Sequence, residues 1–399
     1  MPEEEHSVTI IKSLSEVDKD DWDACANPPN QAYNPFVCHD FLSILEQSGS
    51  AVPEAGWHSQ HMVLKNSQET IRGVMPCYLK TDSQGEFVFD HSWADAFERA
   101  GGRYYPKLQI SVPFTPATGP RLLVRGGEDV GAVRKILAAA SQQLANQLQV
   151  SSLHLTFLTK PEWQELGAQD YLLRTDQQFH FVDEGYGDFN GFLDALTSRK
   201  RKQLKRERRE ALTNDITIEW VTGQDITEAH LERFYAFYMD TGSRKWGTPY
   251  LTRDFFTLLR ERMADKVLFI FASREDEIIA GALNMIGGDT LYGRYWGCSE
   301  EHPFLHFEVC YYQAIDYALA HGLKRVEAGA QGGHKLLRGY MPVTTYSAHW
   351  IANPGFRDAV KNYLTRERQQ VAYEKEMLAE RAPFKNDGVK SESALKEGE

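Results

Sequence analysis

The chain has 399 residues, a formal net charge of −12 and a hydrophobic content of 42%. This length favours two domains, and the balance of apolar and charged residues excludes a disordered chain. No segment reaches the ~20 apolar residues of a membrane helix, and the acidic start lacks the pattern of a signal peptide. We therefore expect a soluble, cytoplasmic protein.

The first half predicts a hairpin-rich sheet followed by a helix and a strand. Apolar alternation around short polar turns predicts strands over residues 61–64, 71–78 and 86–89. The segment from Ala94 to Gly127 is rich in Pro and Gly and is interpreted as an ordered loop. Apolar residues at helical spacing from Val130 to Leu148 predict a helix, and Ser152 to Leu158 predicts a strand.

The second half repeats this order. Strands are predicted over residues 268–272, 278–283 and 291–296. A helix from Phe307 to Leu319, which Gly322 ends, and a strand over 324–328 follow. The repeat predicts a duplicated α/β domain. We place the two domains at residues 1–184 and 185–383, with a terminal helix from Phe356 to about Ala379 and a disordered tail over 384–399.

Several phrases resemble one family of proteins. They are NPFV at 34–37, FDHSWADA at 89–96, YYPKLQ at 104–109, VPFTP at 112–116, RKWGTPYL at 244–251 and GAQGGHKLLRGYMP at 329–342. Together they resemble the FemAB-like predicted N-acyltransferases of the GNAT superfamily, which are associated with peptidoglycan biosynthesis or recognition. The resemblance implies a tandem duplicated GNAT fold, with mixed, mostly antiparallel sheets flanked by helices.

The resemblance also implies a reaction, in which an acyl or aminoacyl group moves from a carrier to an amine. The donor would be an aminoacyl-tRNA, an acyl-CoA or an acyl carrier protein, and the acceptor a peptidoglycan-related precursor. No tightly bound cofactor is expected. Two rivals remain open: a non-catalytic binding module for a cell-wall precursor or RNA, and an acetyl-CoA N-acetyltransferase with a small amine substrate. The sequence does not define the oligomeric state.

Amine acylation needs a base, and two carboxylates are candidates. Glu308 and Tyr312 are four residues apart near the start of a predicted helix, so they would share one face as base and acid. Glu327 ends a short predicted strand before a glycine-rich loop, which is a typical position for a site residue. A solvated helix edge is the alternative interpretation of the first pair.

The glycine-rich loop after Glu327 carries candidate anion ligands. Gly329, Gly332 and Gly333 let the backbone approach a ligand closely. Three side chains follow that would bind a donor or acceptor anion: His334, Lys335 and Arg338.

Further substrate contacts are predicted elsewhere. Gly242 is expected to end a helix, so that Lys245, Trp246 and Tyr250 lie on a loop suited to a charged or flat acceptor. The alternative is that Trp246 and Tyr250 cap the hydrophobic core. In the first half, the candidates follow a predicted strand: Asp90, His91, Trp93, Tyr105 and Lys107. Their spacing fits no zinc pattern, and the five scattered cysteines form no C-x-x-C pair, so no metal is expected.

A basic helix is predicted near residues 193–212. Arg199, Arg201 and Lys205 are the candidate phosphate ligands, and a solvated helix face is the alternative. GNAT domains that use acyl-CoA usually have a glycine-rich turn after their fourth strand. The corresponding stretch here, 297–303, has one glycine and two carboxylates, which favours a carrier or an aminoacyl-tRNA over acyl-CoA.

Overall fold

The computed structural model describes residues 6–29, 31–245, 249–329 and 332–385, with the side chains of residues 244 and 245 left out. Within them the strands are β1 His6–Ile11, β2 Trp57–Ser59, β3 His61–Asn66, β4 Ile71–Met75, β5 Tyr78–Lys80, β6 Lys107–Ile110, β7 Leu123–Val124, β8 Ser152–Leu158, β9 Leu172–Val182, β10 Thr217–Thr222, β11 Val267–Arg274, β12 Glu277–Ile286, β13 Thr290–Cys298, β14 Arg325–Glu327 and β15 Met341–Ile351.

The helices over the same residues are α1 Lys19–Ala26, α2 His39–Gln47, α3 His91–Arg99, α4 Val130–Gln147, α5 Lys160–Gly167, α6 Phe189–Ala195, α7 Ser198–Ala211, α8 Glu228–Lys245, α9 Arg253–Met263, α10 Leu305–Phe307, α11 Gln313–Ala320 and α12 Pro354–Ala379. A π-helical segment, Glu308–Tyr312, joins α10 to α11. None of the described helices combines the length and the apolar character needed to cross a bilayer.

Most of the described strands form one sheet with the order β10-β11-β12-β13-β14-β9-β15-β8-β6-β5-β2. A smaller sheet has the order β1-β3-β4-β7. Two neighbouring pairs, β13 with β14 and β6 with β8, are parallel, and the other described pairs are antiparallel. Each parallel pair is connected through helix, as parallel strands require. The predicted mixed, mostly antiparallel sheet flanked by helices is confirmed.

The two halves are joined through strands β9 and β15. Strand β9 precedes the predicted boundary, yet it pairs with β14 on one edge and β15 on the other. Strand β15 lies between β9 and β8. The main sheet therefore continues from one half into the other, and the boundary near residue 185 falls between β9 and α6.

The repeat of strands, helix and strand in the second half is present as predicted. Strand β11 is an apolar run buried along Val267–Ala272 because helices cover the sheet there. The predicted bounds of β12, β13, β14 and the helix that ends at Ala320 differ from the observed bounds by only a few residues at the ends. Phe384, the first residue of the predicted tail, forms a bridge with Leu196, and residues 386–399 lie outside the described part.

Three local predictions were wrong. Residues 86–89 form no strand, and helix α3 follows them directly. The loop predicted over 94–127 contains most of α3 together with β6 and β7, because its Pro-rich stretches are shorter than the segment. Gly242 lies inside α8 rather than ending it. A Cβ at that position would be 2.6 Å from Pro249, so the glycine serves close packing.

Candidate functional site

A gap opens in the main sheet where β13 and β14 diverge; we call it the fork. The two strands pair only at Thr290–Tyr292 and Arg325–Glu327. Strand β13 then continues to Cys298, whereas β14 ends at Glu327. On the other side, Glu327 pairs with His180 of β9. Paired residues of neighbouring strands point to the same face, so Tyr292, Glu327 and His180 share one face at the base of the fork.

Glu327 is a buried carboxyl group that lacks a full set of partners. It is 4% exposed, and its Oε2 has no hydrogen bond within the described residues. Oε2 lies 3.9 Å from Nε2 of His180, and the backbone N–H of Thr118 donates to the carboxyl group. Burial raises the pKa of Glu327 to about 7. Such a pKa suits a general base at neutral pH.

His180 does not neutralise this carboxyl group. Burial lowers the pKa of His180 to about 3, helped by the charges of Arg325 and Lys335. The ring is therefore neutral at pH 7, and its Nε2 lies 3.2 Å from the Oε1 of Gln178. Glu327 thus faces a polar but uncharged neighbour.

Lys335 lies on the glycine-rich loop that leaves the fork. Its Nζ donates to the carbonyl of Ala328, and to that of Gly329 at 3.2 Å. The side chain is 5% exposed, and burial lowers its pKa to about 8. Gly329 and Gly332 have φ of 77° and 106°, in the region that favours glycine. The predicted juxtaposition of Glu327 and this lysine-bearing loop is present, because the loop begins two residues after Glu327.

Residues 113–118 of the first half cross the fork, and we call them the bridging loop. Arg294 of β13 donates to the carbonyl of Phe114 at 2.5 Å, and Gln178 of β9 donates to that of Pro116 at 2.7 Å. Thr118 donates its N–H to Glu327. Phe114 has φ of 58°, which is unusual for an aromatic residue. The bridging loop thus covers the carboxyl group with backbone from the other half.

Sequence reasoning did not find His180, Gln178 or Arg294. A weak signal was present: Gln178 and His180 alternate with Phe179 and Phe181 along β9, which places both polar residues on one face. Arg294 is the single charged residue of strand β13 and lies near Tyr292, Tyr295 and Trp296 in the sequence. Their common location depends on strand order, which local patterns do not contain.

Glu308, the other candidate base, is held in an ion pair. Its carboxylate is fully buried and receives hydrogen bonds from Arg208 at 2.8 Å and from Gln313 at 2.7 Å. Arg208 also contacts Asp316 at 2.6 Å. Burial raises the pKa of Glu308, and Arg208 limits the rise. This carboxylate has a complete structural role already.

Tyr312 does not join Glu308 as a base and acid pair. Its hydroxyl donates to Glu207 of α7 at 2.5 Å, whereas Glu308 contacts Arg208. Both residues belong to the π-helical segment, in which Gln313 donates its N–H to the carbonyl of Glu308 five residues earlier. In an ordinary α-helix, side chains four residues apart lie on the same face. The wider turn of the π-helical segment changes this spacing, so Glu308 and Tyr312 do not share a face as predicted.

Arg338 and His334 are also engaged. Arg338 is 4% exposed, donates to Glu207 at 2.8 Å and lies over the ring of Phe307. It also donates to the backbone carbonyl of His334, whose ring lies 3.2 Å from the hydroxyl of Tyr311. Arg338 therefore attaches the glycine-rich loop to helix α7, and Lys335 is the predicted loop cation that lies beside the fork.

Three of the substrate residues predicted in the first half, Asp90, Tyr105 and Lys107, form a separate network. Lys107 donates to Glu86 at 2.7 Å and to Asp90 at 2.5 Å. Tyr105 contacts Ser83, which Lys107 also contacts. Among the described residues, these contacts include no residue of the fork. Asp90 precedes helix α3 and His91 begins it, so these two residues lie at the start of a helix.

Trp93 of the same helix packs against His349, with ring centroids 5.0 Å apart, and Arg174 lies over its ring. Tyr250, by contrast, stacks on Phe114 of the bridging loop at 4.9 Å. Lys245 is the last residue of helix α8 and not part of a loop as predicted. Its side chain and the whole of Trp246 lie outside the described residues.

Among the predicted phosphate ligands, Arg199 and Lys205 are exposed on α7. Arg201 is paired with Asp194 at 3.0 Å.

The fold is similar to the folds of several solved structures. FemX is similar with 12% identity and a TM-score of 0.53, over 89% of this chain and 100% of that one. A conserved protein of unknown function from Bacteroides thetaiotaomicron has 10% identity and a TM-score of 0.54, over 87% and 100%. L-PGS from Bacillus licheniformis has 11% identity and a TM-score of 0.50, over 85% and 99%. At these identities the similarity shows the fold alone, and the chain has the mixed α/β fold of these structures, as predicted.

The FemAB-like family, described as acting in peptidoglycan biosynthesis or recognition, matches residues 13–386. The chain therefore belongs to the FemAB-like family, which confirms the resemblance seen in the sequence. No curated protein sequence is similar enough to this chain to count as a match.

Proposed function

We propose that this protein transfers an acyl or aminoacyl group from a carrier to an amine of a peptidoglycan-related precursor, with Glu327 as the general base. The observation that carries the proposal is the buried carboxyl group at the fork, with its unpartnered oxygen and a pKa raised to about 7. Membership of the FemAB-like family supports the reaction class and the acceptor class.

The chemistry follows from the two groups at the fork. The acceptor ammonium loses a proton to the ionised Glu327, and the neutral amine attacks the carbonyl carbon of the donor. A C–N bond forms, and the bond from that carbon to the carrier's oxygen or sulfur breaks, with its electron pair leaving on the carrier. The carrier's oxygen or sulfur takes up the second proton, which the nitrogen loses as the amide forms. Lys335 bears three N–H groups and donates to two backbone carbonyls, those of Ala328 and Gly329. Its ammonium stabilises the oxyanion of the tetrahedral intermediate.

The turn after β13 supports a carrier other than acyl-CoA. The N–H of Ser299 donates to the carbonyl of Ile279, so it does not face a ligand. Glu300 lies in the same turn and is paired with Arg274 at 2.8 Å and with His302 at 2.8 Å. A phosphate cradle needs free N–H groups and no carboxylate.

A pair of matched substitutions distinguishes the two candidate bases, Glu327 and Glu308. We expect Glu327→Gln to lower kcat/KM by about 10²- to 10⁴-fold, the usual contribution of a general base. Glu308→Gln breaks the pair with Arg208, so it should lower stability and leave the activity of the folded protein nearly unchanged. In the wild type, kcat/KM should rise as the pH passes about 7 and Glu327 ionises.

The assay compares acyl-CoA, acyl carrier protein and aminoacyl-tRNA donors, with product detected by its mass. Full activity of Glu327→Gln would show that Glu327 is not the general base. Tight binding of a precursor without transfer from any donor would favour a non-catalytic binding protein instead.

A further inference from the structure

We propose that Arg294 binds a carboxylate of the acceptor, so that the reacting amine belongs to a group with an amine and a carboxylate on the same carbon. This inference rests on the proposed function, because it takes Glu327 as the base that accepts the proton of that amine. It adds the chemical class of the acceptor, which the proposed function leaves open beyond a peptidoglycan-related precursor.

A β-bulge sets the direction of the Arg294 side chain. Tyr295 pairs with Leu283 of β12, whereas Gly293 pairs with the next residue of that strand, Asn284. Arg294 is therefore an additional residue that has no pairing partner on β12. Bulges are common beside active sites, where they change the direction of a side chain. Strand β13 thus departs from regular pairing at its single charged residue.

Arg294 is a neighbour of Glu327 at the fork. Tyr292 pairs with Glu327, and Arg294 follows two residues later, about 7 Å further along β13. The bridging loop contacts both side chains, since the carbonyl of Phe114 accepts from Arg294 and the N–H of Thr118 donates to Glu327. Burial raises the pKa of Glu327, and the positive charge of Arg294 is among those that limit the rise. The charge of the guanidinium therefore reaches the base.

The guanidinium of Arg294 has N–H groups left for an anion. It carries five N–H donors, of which one donates to the carbonyl of Phe114 at 2.5 Å and another contacts the side chain of Tyr295. Within the described residues Arg294 forms no ion pair with a carboxylate. Arg208 and Arg338 of the same half, by contrast, each pair with a buried glutamate. The remaining donors of Arg294 can bind both oxygens of a carboxylate.

The surroundings of Arg294 favour a carboxylate over a phosphate. Its guanidinium carbon lies 5.7 Å from the ring centroid of Phe36 and 5.3 Å from that of Tyr295. Both rings line a small pocket between the bridging loop and helices α2 and α9, and Arg294 is the one charged residue among the described residues that line it. Apolar surroundings strengthen a charged hydrogen bond. A phosphate dianion would leave a second negative charge beside Glu327, whereas one cation balances a carboxylate.

An amine and a carboxylate on one carbon can contact both groups of the fork. The ammonium donates to Glu327, and the carboxylate accepts from Arg294. The carboxylate keeps its bonds during transfer and fixes the orientation of the amine as Glu327 takes the proton. An alkylamine such as the side chain of lysine makes the first contact and lacks the second. Arg294 therefore selects the aminocarboxylate over the alkylamine.

The test compares two acceptor peptides that differ in one residue, which is lysine in one and 2,6-diaminopimelate in the other. Diaminopimelate has an additional carboxylate on the carbon that bears the reacting amine. Calorimetry with the full chain measures the binding of each peptide without a donor. We expect the wild type to bind the diaminopimelate peptide about 10- to 100-fold more tightly, the usual effect of a hydrogen bond to a charged group.

Arg294→Gln and Gln178→Ala form a matched pair for this test. Both native side chains hold the bridging loop, through the carbonyls of Phe114 and Pro116, and only Arg294 is charged. We expect Arg294→Gln to remove the preference between the two peptides. Gln178→Ala should retain the preference even where a loosened loop weakens the binding of both.

Several outcomes would overturn this inference. They are equal binding of the two peptides by the wild type, binding of neither, a preference that survives Arg294→Gln, or an effect of that change on the KM of the donor alone. If Glu327→Gln abolishes transfer while the preference does not depend on Arg294, the proposed function stands and this inference fails. If the preference depends on Arg294 but no donor supports transfer, the carboxylate site stands and the proposed function fails.

Discussion

At the scale of single residues, the burial of the Glu327 carboxyl group lowers the stability of the folded protein. The proposed role of Glu327 as a general base would explain why it is buried. Its pKa is about 7 in the folded protein and near 4.5 in an unfolded chain. The folded state therefore holds more protons between these values, and stability falls as the pH rises from about 4.5 to 7. Above pH 7 the raised pKa of Glu327 lowers the free energy of unfolding by its full amount, about 3 kcal/mol.

Glu327→Gln removes this dependence. We expect the variant to gain stability over the wild type with rising pH, by up to about 3 kcal/mol at pH 8 and little at pH 4. Urea denaturation at both pH values measures it. Glu46→Gln is the control of opposite sign: hydrogen bonds from His61 and Ser13 outweigh burial and lower the pKa of Glu46, so its variant should lose stability at pH 8. An equal response of the two variants to pH would contradict the assignment.

At the scale of elements, the bridging loop depends on a glycine that packs beneath it. Gly85 has φ of 77°, and a Cβ there would lie 2.5 Å from the ring of Phe114. That ring is confined by Tyr250 and Trp57, at 4.9 and 5.4 Å. A side chain at this position must therefore displace Phe114, and with it the carbonyl that Arg294 holds.

Gly85→Ala and Gly127→Ala form a matched pair. Gly127 also has positive φ, 88°, but nothing lies within 4 Å of its Cβ position. Both changes cost about 1–2 kcal/mol in backbone strain. We expect Gly85→Ala to be the more destabilising and to lower kcat/KM in addition, because the contacts of the bridging loop with the fork shift. Thermal unfolding and the transfer assay test this, and equal effects of the two changes would show that the loop position is unimportant.

The elements that the sequence predicted well are those with strong local patterns. Strand β8 and helix α4 were placed almost to the residue, because apolar residues recur there at one spacing throughout. Glu327 and Lys335 could be proposed as site residues from the sequence because a strand end and a glycine-rich loop are adjacent in the chain. The π-helical segment was missed, since one inserted residue leaves an apolar helix pattern nearly unchanged. Contacts of His180, Arg294 and residues 114–118 depend on pairings between distant segments, which no local pattern encodes.

At the scale of the whole molecule, strand β15 makes the two halves dependent on each other. Strand β8 is buried along its whole length and has β6 and β15 as neighbours. A fragment of residues 1–184 lacks β15, so it would expose the edge of a fully buried strand, which is an aggregation hazard. It would also leave β9 without either of its partners.

We therefore expect the fragment 1–184 not to fold alone, and the full chain to unfold in one transition. A chain of residues 1–385, which retains the described strands and helices, is the control and should show the same single transition. Circular dichroism and calorimetry measure both, with equal calorimetric and van't Hoff enthalpies as the sign of one cooperative unit. A cooperative melt of the isolated fragment would contradict this. The fork also needs both halves folded together. Glu327 belongs to one half, and Thr118, whose backbone N–H donates a hydrogen bond to it, belongs to the other.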